Sequence, residues 1–137
     1  MKYYYHKDTH KSYFDIEYKG QKFVGTAQCH TDDLDMESER TGLTIAEARA
    51  NIKLKKFQKK FEIEPVVAAL NHMLTNIRTS NQHNEKNYES RMIRRQLAFW
   101  QNKLDEITAD IKDEEKYLKE YIDKKEKLYQ KLRAKNK

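Results

Sequence analysis

Arg91, Arg94 and Arg95, followed by Phe99 and Trp100, are the residues whose types and spacing best suit chemistry at a ligand. Arg91 and Arg95 stand four apart and share a face on a helix, a like-charge arrangement costing roughly 0.2–0.5 kcal/mol. Cations near a helix start also oppose the helix dipole. A bound anion offsets that cost. Planar guanidinium groups hold phosphates bidentately and stack on bases, and an aromatic ring offers a second stacking surface, so a nucleotide is a natural match. Glu85 and Glu89 leave an alternative open, in which intrahelical salt bridges neutralise the arginines.

Other reactive residue types give less. Cys29 and His30 are adjacent and point to opposite faces of a strand, and the Cys and His spacings of zinc sites are missing. No base or orienting group identifies a nucleophile at Cys29. Asp32, Asp33, Asp35, Glu37 and Glu39 crowd together without the Gly and terminal Glu of a calcium loop, and they read as a polar connection. With three glycines in the chain there is little material for a phosphate loop, and no hydrolase or kinase signature occurs. The expectation is a protein without catalytic residues, metal or cofactor. Lys53, Lys55, Lys56, Lys59 and Lys60 spread around a helix and suit either a solvated face or a nucleic-acid backbone.

The elements that position these residues follow from pattern. Residues 2 to 30 read as strands: Tyr13, Phe14, Ile16 and Tyr18, then Phe23, Val24, Ala27 and Cys29, flank Lys19-Gly20-Gln21, which suits a hairpin turn. Lys2 to His6 adds a third strand across the turn Lys7-Asp8-Thr9-His10. Gly42 and the capping box from Thr44 to Glu47 predict a helix start. That helix presents Ala50, Leu54, Phe57 and Phe61, with Ile45, Ala48 and Ile52 widening the face. Glu64-Pro65 interrupts it, since Pro disfavours helix in the residue before it. Pro65 then opens a second helix carrying Val66, Leu70, Met73, Leu74 and Ile77, and the polar stretch from Thr79 to Asn84 joins it to the last helix. The fold class is α+β: residues 1–84 form a small antiparallel sheet plus helices, and residues 85–137 a long coiled-coil helix.

From Ile93 to Leu132 apolar residues keep one heptad stripe, with Leu97, Leu104, Ile111, Leu118 and Leu132 at one core position and Ile93, Trp100, Ile107, Tyr121 and Leu128 at the other. Trp100 therefore reads as core packing. A helix from Glu85 to Ala134 is about 75 Å long and needs a partner along it. Its first turns pack on the chain's own elements, and its distal half outruns them, so the expected partner there is a second copy of the chain. Truncation after Glu114 is then expected to abolish oligomerisation before it unfolds the sheet. Glu114 and Lys125 fall on the stripe, where each needs an opposite charge or a place where the partner diverges. Composition agrees with a lean core: 37% of residues are apolar and 36% charged, and 28 Lys and Arg against 22 Asp and Glu give +6, a bias toward anionic partners. The single cysteine, the lack of an apolar run near 20 residues and a start without a signal peptide's apolar segment suggest an intracellular protein away from the membrane.

The stretch from Gly25 to Asp33, followed by Gly42, Ile45-Ala46 and Arg49, resembles a pattern shared by small proteins of phages and prophages. In plan the chain is similar to the anti-Thoeris nucleotide sponges, in which an antiparallel sheet precedes two long helices that mediate assembly. The resemblance implies a phage anti-defence protein in the host cytoplasm. It would sequester a cyclic ADP-ribose isomer without cleaving it, with Phe61 stacking, Asn71 hydrogen bonding and Arg91 with Arg95 gripping phosphate, in a homo-oligomer. A protein-binding inhibitor of a defence nuclease, of the anti-CRISPR kind, is the alternative, and a ligand-free coiled-coil scaffold is a third.

Overall fold

The computed structural model describes residues 2–28, 36–80 and 88–135, without the side chains of 36–38, 78–80 and 133. Strands β1 (Lys2–His6), β2 (Lys11–Tyr18) and β3 (Gln21–Gln28) form an antiparallel sheet in the order β1-β2-β3. The expected hairpin is made by Lys19 and Gly20, with φ of 50° and 77°, the left-handed pair of a type I′ turn. Gly20 adopts this without a Cβ penalty. Alternation in β2 sends Ser12, Phe14 and Ile16 inward and leaves Tyr13 and Asp15 half-buried on the other face. Cys29, His30, Asp32, Asp33 and Asp35 lie outside the described residues.

Helix α1 (Met36–Gln58) covers the inner face of the sheet. Phe14, Ile16 and Ala27 pack there with Ala46 and Ala50, both fully buried, and Leu43, Ile45 and Leu54 close the margin. Contact is unusually tight at Gly25. A Cβ built there falls 1.8 Å from the Ala46 carbonyl oxygen and 2.5 Å from the Ala50 nitrogen, so only Gly fits beneath the helix. Arg49 Nη1 donates to the Thr26 carbonyl at 2.7 Å and Lys53 Nζ to that of Val24 at 2.7 Å. Those carbonyls sit two residues apart on an edge strand, and capping them blunts the edge against pairing with another strand.

Three sequence expectations are corrected here. The helix begins at Met36, so Gly42 and Thr44 lie inside it. Gly42 is buried, and the Thr44 hydroxyl donates back to the Arg40 carbonyl at 2.9 Å in place of capping an end. Nor does Pro65 break the chain into separate helices: a π-helical turn (Lys59–Ile63) connects α1 directly to α2 (Glu64–Ser80). The Glu64 N–H donates to the Lys59 carbonyl, five residues back. This wider turn, placed immediately before the proline, accommodates a residue that has no N–H and whose ring clashes with the carbonyl four residues earlier in α geometry.

The third correction concerns α3 (Tyr88–Lys135), whose distal half has a neighbour within the chain. Tyr129 and Thr41 share a hydrogen bond of 2.9 Å, and Lys55 pairs with Glu114 at 2.5 Å. Fourteen residues along α1 thus match fifteen in the reverse direction along α3, the register of antiparallel helices. Glu114, a charge on the apolar stripe, meets its counter-ion in this contact, while Lys125 Nζ lies 5.7 Å over the Tyr121 ring. Ile111 and Leu118 are buried, whereas Leu128 and Leu132 are 38% and 44% exposed, so the stripe loses its cover near the end. Truncation after Glu114 therefore removes part of the sheet's own compact unit. That unit comprises the sheet, α1 as far as Lys55 and α3 from Ile111, and a second spans Lys56 to Asp110; both cut across the expected division at residue 84.

Candidate functional site

All the sequence-predicted site residues fall in the second unit, Lys56 to Asp110. Here α2 buries Val67, Leu70 and Leu74 at helical spacing. On α3, Ser90 is buried and Ile93, Leu97, Trp100 and Leu104 are half-buried. Trp100, expected as core packing, is half-buried on the seam. With 3.6 residues per turn, this seam fixes what lies opposite it. Tyr88, Met92, Arg95 and Phe99, at spacings of four, three and four, form one outward stripe with Arg91 and Lys103 along its flanks.

The exposures are unusual for a solvated helix face. Tyr88 is 71% exposed, Phe99 54% and Met92 39%. Arg91, Arg94 and Arg95 are exposed too, and none has an ion pair or side-chain hydrogen bond among the described residues. Glu89 leaves them unneutralised, and Glu85 lies outside the described residues. Phe99 is held edge-on to Trp100 with centroids 5.7 Å apart, and Lys103 Nζ lies 5.0 Å and 5.5 Å from the two rings. Arg91 and Arg95 are one turn apart, about 6 Å along the axis. Two guanidinium groups at that spacing, with Tyr88 and Phe99 on the same face, can grip phosphate oxygens while a ring stacks on a base.

Phe61 and Asn71 are placed differently. Phe61 is 58% exposed at the π-helical turn, its ring 5.0 Å from that of Phe57 and 5.4 Å from Lys60 Nζ. Asn71 is exposed on α2, where its backbone carbonyl accepts the Thr75 hydroxyl at 2.9 Å. Ten residues of continuous helix separate them, about 15 Å of rise, further than one base with its ribose extends. Arg91 and Arg95 thus form a pair, while Phe61 and Asn71 do not. Sequence reasoning passed over Tyr88, Met92 and Lys103. Their signal was legible as a second stripe, apolar and basic, on the side of α3 opposite the heptad seam.

No three His, Cys, Asp or Glu side chains converge into a metal-binding group among the described residues. Among the same residues no helix is long and apolar enough to cross a membrane. Comparison with protein-family models, curated proteins and solved structures finds no match for this chain.

Proposed function

We propose that this protein captures a phosphate-bearing nucleotide on the outward face of α3 and holds it without chemical change. The observation that carries the reading is the pair of exposed guanidinium groups of Arg91 and Arg95, without an ion pair among the described residues, set between exposed Tyr88 and Phe99. An Arg pair that opposes both its own repulsion and the helix dipole gains from an anion, and the flanking rings favour an anion that carries a base. Taken with the resemblance to phage nucleotide sponges, the ligand is a cyclic nucleotide immune signal, a cyclic ADP-ribose isomer, sequestered in the host cytoplasm. Self-association through the exposed Leu128 and Leu132 belongs to the same reading, and light scattering over a concentration series tests it.

Titration calorimetry with cyclic ADP-ribose isomers and cyclic oligonucleotides tests the capture. Binding by one of them is expected, and Arg95→Ala should weaken it by about 1.5–3 kcal/mol, the loss of a charged hydrogen bond. Absence of heat with every member of the series overturns the proposal. A second reading, an inhibitor that docks on a defence nuclease, draws on exposed Met92 and Phe99, which suit a protein surface as well as a base. A pull-down with wild type and Phe99→Ala separates the two: a nuclease recovered only by wild type, with no nucleotide heat, supports the inhibitor.

A further inference from the structure

The sheet face turned away from α1 carries side chains that neither the core nor the α3 face uses. Cross-strand pairing sets Tyr4 beside Tyr13, and their rings stack with centroids 5.0 Å apart and planes 16° from parallel. Tyr13 sits on the central strand, and β1 is an edge. Tyr4, 46% exposed, therefore offers the outer side of a preformed aromatic stack at the margin of the sheet. Lys2 and His6 lie two residues to either side of Tyr4 and share its face, and Lys11 stands opposite His6. Residues two apart on a strand are about 6.7 Å apart, so these groups make a row on both sides of the ring. None of Lys2, His6 and Lys11 has an ion pair among the described residues. Of the acids of this face, Asp15 stands directly opposite Lys2 without forming an ion pair with it among the described residues, and Glu17 lies further toward the β2–β3 turn, away from His6 and Lys11.

A stacked aromatic pair on an antiparallel sheet, bordered by two lysines without an ion pair among the described residues and by an imidazole that can donate a hydrogen bond, matches single-stranded nucleic acid: every base has a face to stack, and these groups track phosphates. We propose that this face binds single-stranded nucleic acid, with one base adding to the Tyr13–Tyr4 stack and the adjacent phosphates lying along Lys2, His6 and Lys11. The site belongs to the sheet unit, and the nucleotide face of α3 to the other unit.

Fluorescence anisotropy of the full chain with labelled oligothymidylate and oligouridylate of about a dozen nucleotides tests this. Both should bind, more tightly at low salt. Tyr4→Ala should weaken binding about tenfold, the loss of one base stack, while Tyr4→Phe, which keeps the ring, should stay within about twofold of wild type. The double change of exposed Lys2→Gln and half-buried Lys11→Gln, both off the face packed on α1, should lower the slope of log affinity against log salt by about 1.4, two phosphate contacts on a single strand. Arg95→Ala should leave oligonucleotide binding unchanged, and Tyr4→Ala should leave cyclic-nucleotide heat unchanged, so each proposal fails separately. The inference is overturned by absence of oligonucleotide binding, by binding that Tyr4→Ala leaves intact, or by binding that only Arg95→Ala removes. A Tyr4-dependent dimer that does not bind oligonucleotide also overturns it.

Discussion

Replacing Gly25 with Ala tests how the sheet is held to α1. The added Cβ would lie 1.8 Å from the Ala46 oxygen, 2.5 Å from the Ala50 nitrogen and 2.9 Å from the Ala46 carbonyl carbon. All three are backbone atoms, so no side-chain rotation relieves the contact, and strand and helix must separate by more than an ångström. Overpacking of a core costs typically about 1–3 kcal/mol. Separation also stretches the Arg49–Thr26 and Lys53–Val24 hydrogen bonds, now 2.7 Å each and exposed. Exposed charged contacts of this kind add about 0.5 kcal/mol apiece. A loss near 3 kcal/mol is expected, a large share of the roughly 5–15 kcal/mol by which domains are stable. Urea unfolding followed by far-UV circular dichroism measures it. Gly20→Ala is the control: φ is +77° with nothing within 4 Å of the new Cβ, so it should cost only about 1 kcal/mol of backbone strain. Because the clash is with the Ala46 backbone, Ala46→Gly should not rescue Gly25→Ala. A Gly25→Ala cost no larger than the control, or rescue by Ala46→Gly, refutes the packing argument.

Further outcomes follow from the helix contacts. Tyr129→Phe leaves the buried Thr41 hydroxyl, 6% exposed as a residue, without its partner, and should cost about 1–3 kcal/mol by urea unfolding. Lys55→Glu and Glu114→Lys should each destabilise by about 1 kcal/mol and largely compensate in the double variant, since the side chains are 30% and 38% exposed and their pairing is screened. Pro65→Ala should raise the thermal midpoint, because Ala restores a helix donor and avoids some of the roughly 3 kcal/mol that Pro costs inside a helix. An unchanged or lower midpoint would mean that the π-helical turn already absorbs the proline completely.

How much was legible in the sequence divides along physical lines. The three strands, the Lys19-Gly20 turn and the long last helix were readable because alternation, turn chemistry and heptad spacing are local signals. The identity of the seam's partner was not. Glu114 on an apolar stripe announced a counter-ion, but periodicity cannot say whether the opposing helix belongs to the same chain, and the answer was Lys55. Thr44 and Glu47 have the spacing of a cap and lie mid-helix, because burial of Ala46 and Ala50 against Gly25 extends α1 past a local start signal. Pro65 misled for a similar reason: one wider turn before it keeps the helix running. In the candidate site, Arg91 and Arg95 are legible from charge spacing, while Tyr88, Met92 and Lys103 are single apolar or basic positions on a charged face, without the sustained heptad repeat that marks the seam on the other side of α3.

The proposed capture has Arg91 and Arg95 holding a nucleotide that the protein does not cleave. It is tested most directly by releasing small molecules with heat from protein incubated with a cyclic ADP-ribose isomer and separated from free ligand, then weighing them by mass spectrometry. Wild type should return the intact isomer, and the Arg91→Ala, Arg95→Ala double variant should return none. Return of a cleaved product, or equal recovery from wild type and double variant, would contradict it.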